Sequence, residues 1–368
     1  MPVDRAHQKT HDDRRRTVLR TLLGGGALAG FAATAQLGAT AQAEADPFAA
    51  EEVRPGGRVR EYWLQADSFQ HNAVPNGQDG MTGMRFTADQ TTFWAVGFRA
   101  YTADWGRPLD ADASPQGIGD NSGIPGPVLR AEVGDTLRVH FRNNDEHYRW
   151  PHSLHPHGVW YDQDNDGGWL ADDTERPGTA VPFGADYTYT WICRPSSVGT
   201  WPYHDHSVPQ AIQVPGAKPK MPVMEIGAEL GLFGVIAVTD RHTPAVDREF
   251  VLFCHDATPG DIPSLAQGLN LFNGGAFVDN TPTFTAKAGE RVRWRIAALG
   301  NETHVFHLHG HRWRSPQGYQ GWVDSQIIAP STTVTIEYTE DNPGDWIYHC
   351  HVVHHMMGGM VGRYRVSP

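Results

Sequence analysis

Three blocks of sequence occur twice along this chain, in the same order, and that duplication constrains the fold more than any other feature. Residues 131–139 read Ala-Glu-Val-Gly-Asp-Thr-Leu-Arg-Val, and residues 286–294 read Ala-Lys-Ala-Gly-Glu-Arg-Val-Arg-Trp. His155-Pro156-His157-Gly158 is matched by His307-Leu308-His309-Gly310. Each copy closes on an octet, Gly-Thr-Trp-Pro-Tyr-His-Asp-His at 199–206 and Gly-Asp-Trp-Ile-Tyr-His-Cys-His at 344–351. The first block is followed in both copies by alternating apolar and polar positions, the mark of a half-buried strand. With 40 Gly and 26 Pro to supply turns, the pattern predicts an all-β chain of two Greek-key sandwiches in tandem. The halves are expected at 44–240 and 247–368, divided near Asp240-Arg241-His242-Thr243-Pro244. Residues 207–230 read as a loop that differs between the copies.

The first 43 residues have a different character. Arg14-Arg15-Arg16-Thr17-Val18-Leu19-Arg20 precedes a stretch of small and apolar residues, Leu22 to Leu37, and Ala41-Gln42-Ala43 offers a small-x-small cleavage site. This is the layout of a bacterial export signal. The paired Arg15-Arg16 resembles the twin-arginine type, which implies a periplasmic or extracellular protein. The stretch is short for a membrane span, and no other segment is apolar enough to cross a bilayer. The leader carries six cations against three carboxylates, so a formal charge of −12 for the whole chain becomes about −15 for the remainder. Such a surface repels phosphate backbones and argues against nucleic-acid binding. Three cysteines are too few for a disulfide scaffold. Cys193 and Cys254, one in each half, are a possible pair after export, with two buried thiols as the default.

The placement of the histidines decides the chemistry. On a strand, residues i and i+2 share a face. His155/His157, His204/His206, His307/His309 and His349/His351 therefore each present two imidazoles side by side. Eight imidazoles without a carboxylate cluster suit copper better than magnesium or calcium. The C-terminal block adds a second kind of site. Cys350 points away from the face of His349 and His351. With His304, His355 and Met360 it makes up the two imidazoles, thiolate and weak thioether of an electron-transfer copper. Because Cys350 is covalently joined to both neighbouring histidines, a short through-bond path connects the two kinds of site.

The four histidine blocks resemble the signature motifs of multicopper oxidases, and a chain with two cupredoxin-like domains looks most like the two-domain small laccases. The resemblance spans about residues 60–366. It implies four coppers per chain. The type 1 copper takes His304, Cys350, His355 and Met360. The type 2 copper takes His155 and His307. The type 3 pair takes His157, His204, His206, His309, His349 and His351. The types 2 and 3 together form a trinuclear cluster that reduces dioxygen to water. Since each half supplies four of its ligands, the cluster lies between two domains, and the resemblance implies that these belong to neighbouring chains of a homotrimer. The first half departs from the type 1 pattern. Asp205 stands where the thiolate would be, and Gln210 and Pro215 stand at the places of His355 and Met360. His152 does match His304, as a relic or a structural histidine.

The resemblance also places Tyr161 beside the cluster as an auxiliary electron donor, with core packing as the alternative. Of Asp162, Asp164 and Asp166, Asp166 is the candidate proton donor, with a solvated turn as the alternative. The ring edge of His355 or His304 is where electrons would enter. The expected activity is one-electron oxidation of phenols and aromatic amines by dioxygen. Oxidation of a metal ion such as Cu(I) is the alternative, although eight methionines, Met221, Met224, Met356 and Met357 among them, are no rich supply. A copper nitrite reductase would carry its blue copper in the first half, and a copper store or electron carrier would need no trinuclear ligand set.

Overall fold

The repeated blocks become equivalent strands in the computed structural model, which describes residues 57–368 apart from 112–116, 209–225, 260, 263, 317, 319 and 320. The leader, Gln210, Pro215, Met221 and Met224 lie outside the described residues. In the first half, one sheet runs in the order Thr92–Tyr101, Val59–Asn72, Thr136–Asn144, Asp186–Ile192. The facing sheet runs Leu129–Glu132, Phe233–Thr239, Gly199–His204, His155–Pro156. The second half repeats the plan with Leu269–Phe272, Arg248–Ala257, Arg291–Ala298, Thr333–Thr339. Its partner sheet is Thr283–Lys287, Val361–Ser367, Gly344–Cys350, His304–Leu308, Ser325–Ile328.

The alternation in the sequence decides which face goes inward. Along Thr136–Asn144, Leu137, Val139 and Phe141 are buried while the residues between them are not. Arg291–Ala298 is buried along nearly its whole length, because its outer face meets the first half. There Arg295 donates to Thr200 Oγ1 at 2.8 Å, and Thr333 Oγ1 donates to the Thr200 carbonyl at 2.5 Å. The first core also crosses the seam, taking in Phe253, Leu271 and Phe277 from the second half.

A buried ion cluster sits at the same seam. Glu249, 4% exposed, meets Arg130 of the first half at 2.5 Å, Arg295 at 2.9 Å and Arg293 at 3.1 Å. The loop expected over 207–230 ends in a turn of helix, Ile226–Leu230, with every residue buried. Five residues are too few to show a helical period. Cys193, Cys254 and Cys350 are all free and buried, so the thiol default holds and no bridge joins the halves. Among the described residues no helix is long and apolar enough to cross a membrane.

Candidate copper centres

Antiparallel register places the metal-type residues of each half side by side. His155 lies opposite His204, and His307 lies opposite His349. The glycine that closes each His-x-His-Gly block lets the octet tryptophan cover the turn. Gly158 has φ +69°, and a Cβ there would lie 1.9 Å from the Trp201 ring. Gly310 has φ +73°, and a Cβ there would lie 3.0 Å from Trp346. Only glycine accepts both the conformation and the approach. Each tryptophan is fixed in turn by its indole N–H, Trp201 to the Ser197 carbonyl at 2.8 Å and Trp346 to the Asn342 carbonyl at 2.9 Å. The octet tyrosines are also matched. Tyr203 donates to the Pro127 carbonyl and Tyr348 to the Pro282 carbonyl, both at 2.7 Å.

On this frame the histidines form two quartets. In the first, the His155 ring centroid is 5.0 Å from His157, 5.4 Å from His204 and 5.2 Å from His206. In the second, His307 is 5.1 Å from His309, 5.3 Å from His349 and 5.5 Å from His351. The Nε2 atoms of His157 and His204 face each other at 3.2 Å, as do those of His309 and His349. Among the described residues no ring of one quartet contacts a ring of the other.

Carbonyl groups set the tautomers. His155 Nδ1 donates to the Asp166 carbonyl at 2.7 Å, and His307 Nδ1 donates to the Asp324 carbonyl at 2.8 Å. His204 and His349 each donate Nδ1 at 2.9 Å to the carbonyl of the next residue. In all four rings Nε2 is left with its lone pair, the state a metal ion needs. Burial, with the neighbouring imidazoles, holds His157 down to about 4 and His204 to about 3. Both are therefore neutral donors at physiological pH.

The third cluster is compact. His304 Nδ1 and His355 Nδ1 are 3.2 Å apart, and Cys350 Sγ lies 3.5 Å from His355 Nδ1 and 4.0 Å from His304 Nδ1. All three side chains are buried. Met360 is fully buried in the same core, and its backbone bonds to two of the three: Met360 N–H donates to the His355 carbonyl at 3.0 Å, and Cys350 N–H donates to the Met360 carbonyl at 3.1 Å. Burial raises the Cys350 thiol, while the Val305 amide donates to its sulfur. Two inward-facing imidazole nitrogens beside a buried thiol fit a soft cation that would ionise the sulfur. Two His, one Cys and a thioether is the copper donor set.

The surroundings add residues that the sequence did not single out. Glu302, exposed, places a carboxylate oxygen 3.9 Å from His355 Nε2, and His354 meets the His355 ring edge-on with ring centroids 4.3 Å apart. The rings of His355 and His304 are themselves fully covered, so Glu302 and His354 lie between His355 and solvent. Two carboxylates cover the buried His152, Asp205 at 2.8 Å and Asp145 at 3.2 Å. Tyr161 meets the His155 ring edge-on at 6.0 Å, and burial, with the nearby Asp166 carboxylate, raises its hydroxyl above the ordinary value. An Asp166 carboxylate oxygen is itself 3.4 Å from His155 Nδ1. Asp162 and Asp164 are exposed in the adjoining turn.

Comparison with known proteins agrees with this geometry. Two family descriptions, both "Multicopper oxidase", match residues 105–217 and 254–368, together more than half of the chain. The human ferroxidase HEPHL1 is 30% identical over 362 aligned residues, covering 84% of this chain and 29% of that protein. Sheep ceruloplasmin is 25% identical, covering 85% and 33%. The chain thus spans a third or less of the length of these relatives. Two solved structures share the fold. A multicopper oxidase has a TM-score of 0.60 at 22% identity, covering 86% of this chain and 92% of its own. A copper nitrite reductase from Nitrosomonas europaea has a TM-score of 0.59 at 21% identity, covering 84% and 94%. With two cupredoxin-like β-sandwiches and the matched family descriptions, the chain belongs to the multicopper oxidases.

Proposed function

We propose that this chain is an exported oxidase of the laccase type, which takes single electrons from small aromatic donors and delivers them to dioxygen. The observation that carries this reading is the coexistence of one buried Cys-His-His cluster, with Met360 buried in the same core, and two histidine quartets. Copper, when bound, supplies one-electron chemistry at the first and the four-electron reduction of dioxygen to water at the second. The full complement is four coppers per chain. His304, Cys350, His355 and Met360 would hold the type 1 ion. His155 and His307 would hold type 2, and His157, His204, His206, His309, His349 and His351 the type 3 pair.

The remaining chemistry belongs to the protein. Cys350 shares peptide bonds with His349 and His351, so the donor side and the oxygen side are a few covalent bonds apart. Asp166, partly buried beside His155, is placed to hand on protons that the oxygen reaction consumes. Tyr161, edge-on to His155 at 6.0 Å, would serve as an auxiliary electron donor. Each quartet is half of an eight-imidazole set. His351 is exposed, and His155, His157, His206 and His307 are only partly buried. A head-to-tail ring of three chains would bring the first quartet of one copy onto the second quartet of the next and close the set.

Aromatic donors are favoured by Val353 and Met357, 74% and 66% exposed on the helix that carries His355. A second reading, oxidation of a metal ion, is favoured by Glu302 and His354 at the covered edge of His355, and by relatives named ferroxidases. Oxygen uptake with a phenol, with Fe(II) and with Cu(I), set beside nitrite turnover, tests the proposal. Phenol-driven uptake with no nitrite turnover supports it, and nitrite reduction without oxygen uptake overturns it. Glu302→Gln separates the two donor classes: a KM raised for metal ions alone supports the second reading.

A further inference from the structure

The first half preserves the frame of the type 1 site without its metal donors. Asp205 occupies the place of Cys350, His152 that of His304 and Ser153 that of Val305. The hydrogen bonds correspond one to one. The Val305 amide donates to Cys350 Sγ at 3.4 Å, and the Ser153 amide donates to Asp205 Oδ1 at 2.8 Å. Where Sγ stands 4.0 Å from His304 Nδ1, Asp205 Oδ2 stands only 2.8 Å from His152 Nδ1. The gap that suits a metal ion in one half is closed by a direct hydrogen bond in the other.

The other nitrogen of His152 lies 3.2 Å from Asp145 Oδ2. Carboxylates only accept, so with both neighbours ionised both ring nitrogens carry hydrogen and the ring is a cation. His152, Asp145 and Asp205 are all essentially fully buried. A buried ion group of this kind is tolerable only when its remaining lone pairs are satisfied. Asp145 accepts from the amides of Tyr148 and Trp150, and Asp205 accepts from the amide of Ser207 and the hydroxyls of Ser153 and Ser207. Burial alone would lower His152, but the two carboxylates outweigh it and push it up to about 9.

The triad is tied to the histidines. Asp205 is the residue between His204 and His206, and its carbonyl accepts the N–H of the His204 ring at 2.9 Å. Ser153 Oγ bonds Asp205 Oδ1 at 3.3 Å and accepts the His206 amide at 3.1 Å. We propose that Asp205, clamped by His152, which Asp145 holds from its other side, is the positioning residue that aims His204 and His206 at the type 3 pair, with a direct hydrogen bond closing the gap where the other half would hold copper. The inference rests on the reading of the quartets as copper ligands.

Asp205→Asn, His152→Gln and the milder Ser153→Ala test it. Each variant is loaded with copper, checked for fold by circular dichroism and dialysed against a chelator. The triad predicts copper held about 10–100-fold more weakly by the quartets, with loss of near-ultraviolet absorption, while the visible Cys350 band keeps its intensity. Folded Ser153→Ala and Asp205→Asn proteins that retain all their copper and both bands overturn the positioning role. Loss of both bands together also overturns it, since it marks a general structural defect. A parent protein that takes up copper only at Cys350 overturns instead the reading on which this inference rests.

Discussion

Replacing Glu249 by Gln should destabilise the protein by about 3–5 kcal/mol, the usual consequence of removing one partner from a buried ion cluster. Glu249 is 4% exposed and receives Arg130, Arg293 and Arg295, themselves 20%, 5% and 2% exposed. Arg293 keeps Glu337 at 2.7 Å when Glu249 is neutralised. Arg295 is left with neutral partners, Thr200 Oγ1 and the Gly199 carbonyl, so most of the cost falls on it. For a chain of this size the loss corresponds to a Tm lower by roughly 5–10 °C. The effect should depend on pH. Burial would raise Glu249, but the arginines outweigh it and hold its carboxyl below the ordinary 4.5. Its contribution is therefore complete above the unfolded-state pKa and is lost as pH falls through the folded one. Thermal melts between pH 7 and pH 3 should show the parent and Glu249→Gln curves converging toward the acid end. The double variant Glu249→Leu/Arg295→Met should regain part of the loss, since the most buried of the three cations leaves with the carboxylate. A Glu249→Gln protein within about 1 kcal/mol of the parent at pH 7 would refute this reasoning.

Cys350→Ser should keep the fold and lose the visible thiolate band together with donor oxidation, as read by circular dichroism, absorption and oxygen uptake. Gly158→Ala should cost about 1–3 kcal/mol, because its Cβ would enter the Trp201 ring at 1.9 Å. Gly310→Ala, with 3.0 Å available beside Trp346, should cost less, and denaturant melts of the pair compare them directly. Asp166→Asn keeps the backbone carbonyl that orients His155 but removes the acid. It should slow steady-state oxygen reduction about 10²-fold without loss of copper, measured by oxygen uptake alongside metal analysis.

Much of the architecture was legible because duplication repeats the same strand alternation and the same turn chemistry. The blocks at 131–139 and 286–294 fall on equivalent strand pairs. The histidines were legible because a strand converts i, i+2 spacing directly into a shared face. What escaped was long-range. Asp145 is seven residues from His152, in a segment longer than its counterpart in the second half, so no repeat position marks it. Glu302 has no motif of its own and matters only because the strand beginning at His304 brings it back toward His355. The Glu249 cluster joins residues up to 119 positions apart, and no local pattern announces it. At 205 the replacement of a thiolate by a carboxylate was visible, but not that a buried histidine and a second carboxylate complete it.

Anomalous diffraction at the copper absorption edge from crystals of the copper-loaded protein tests the central claim most directly. One peak should lie among His304, Cys350, His355 and Met360. A group of three should lie between the His155–His206 quartet of one copy and the His307–His351 quartet of another. Copper absent from the quartets, or a zinc edge in its place, would contradict the account.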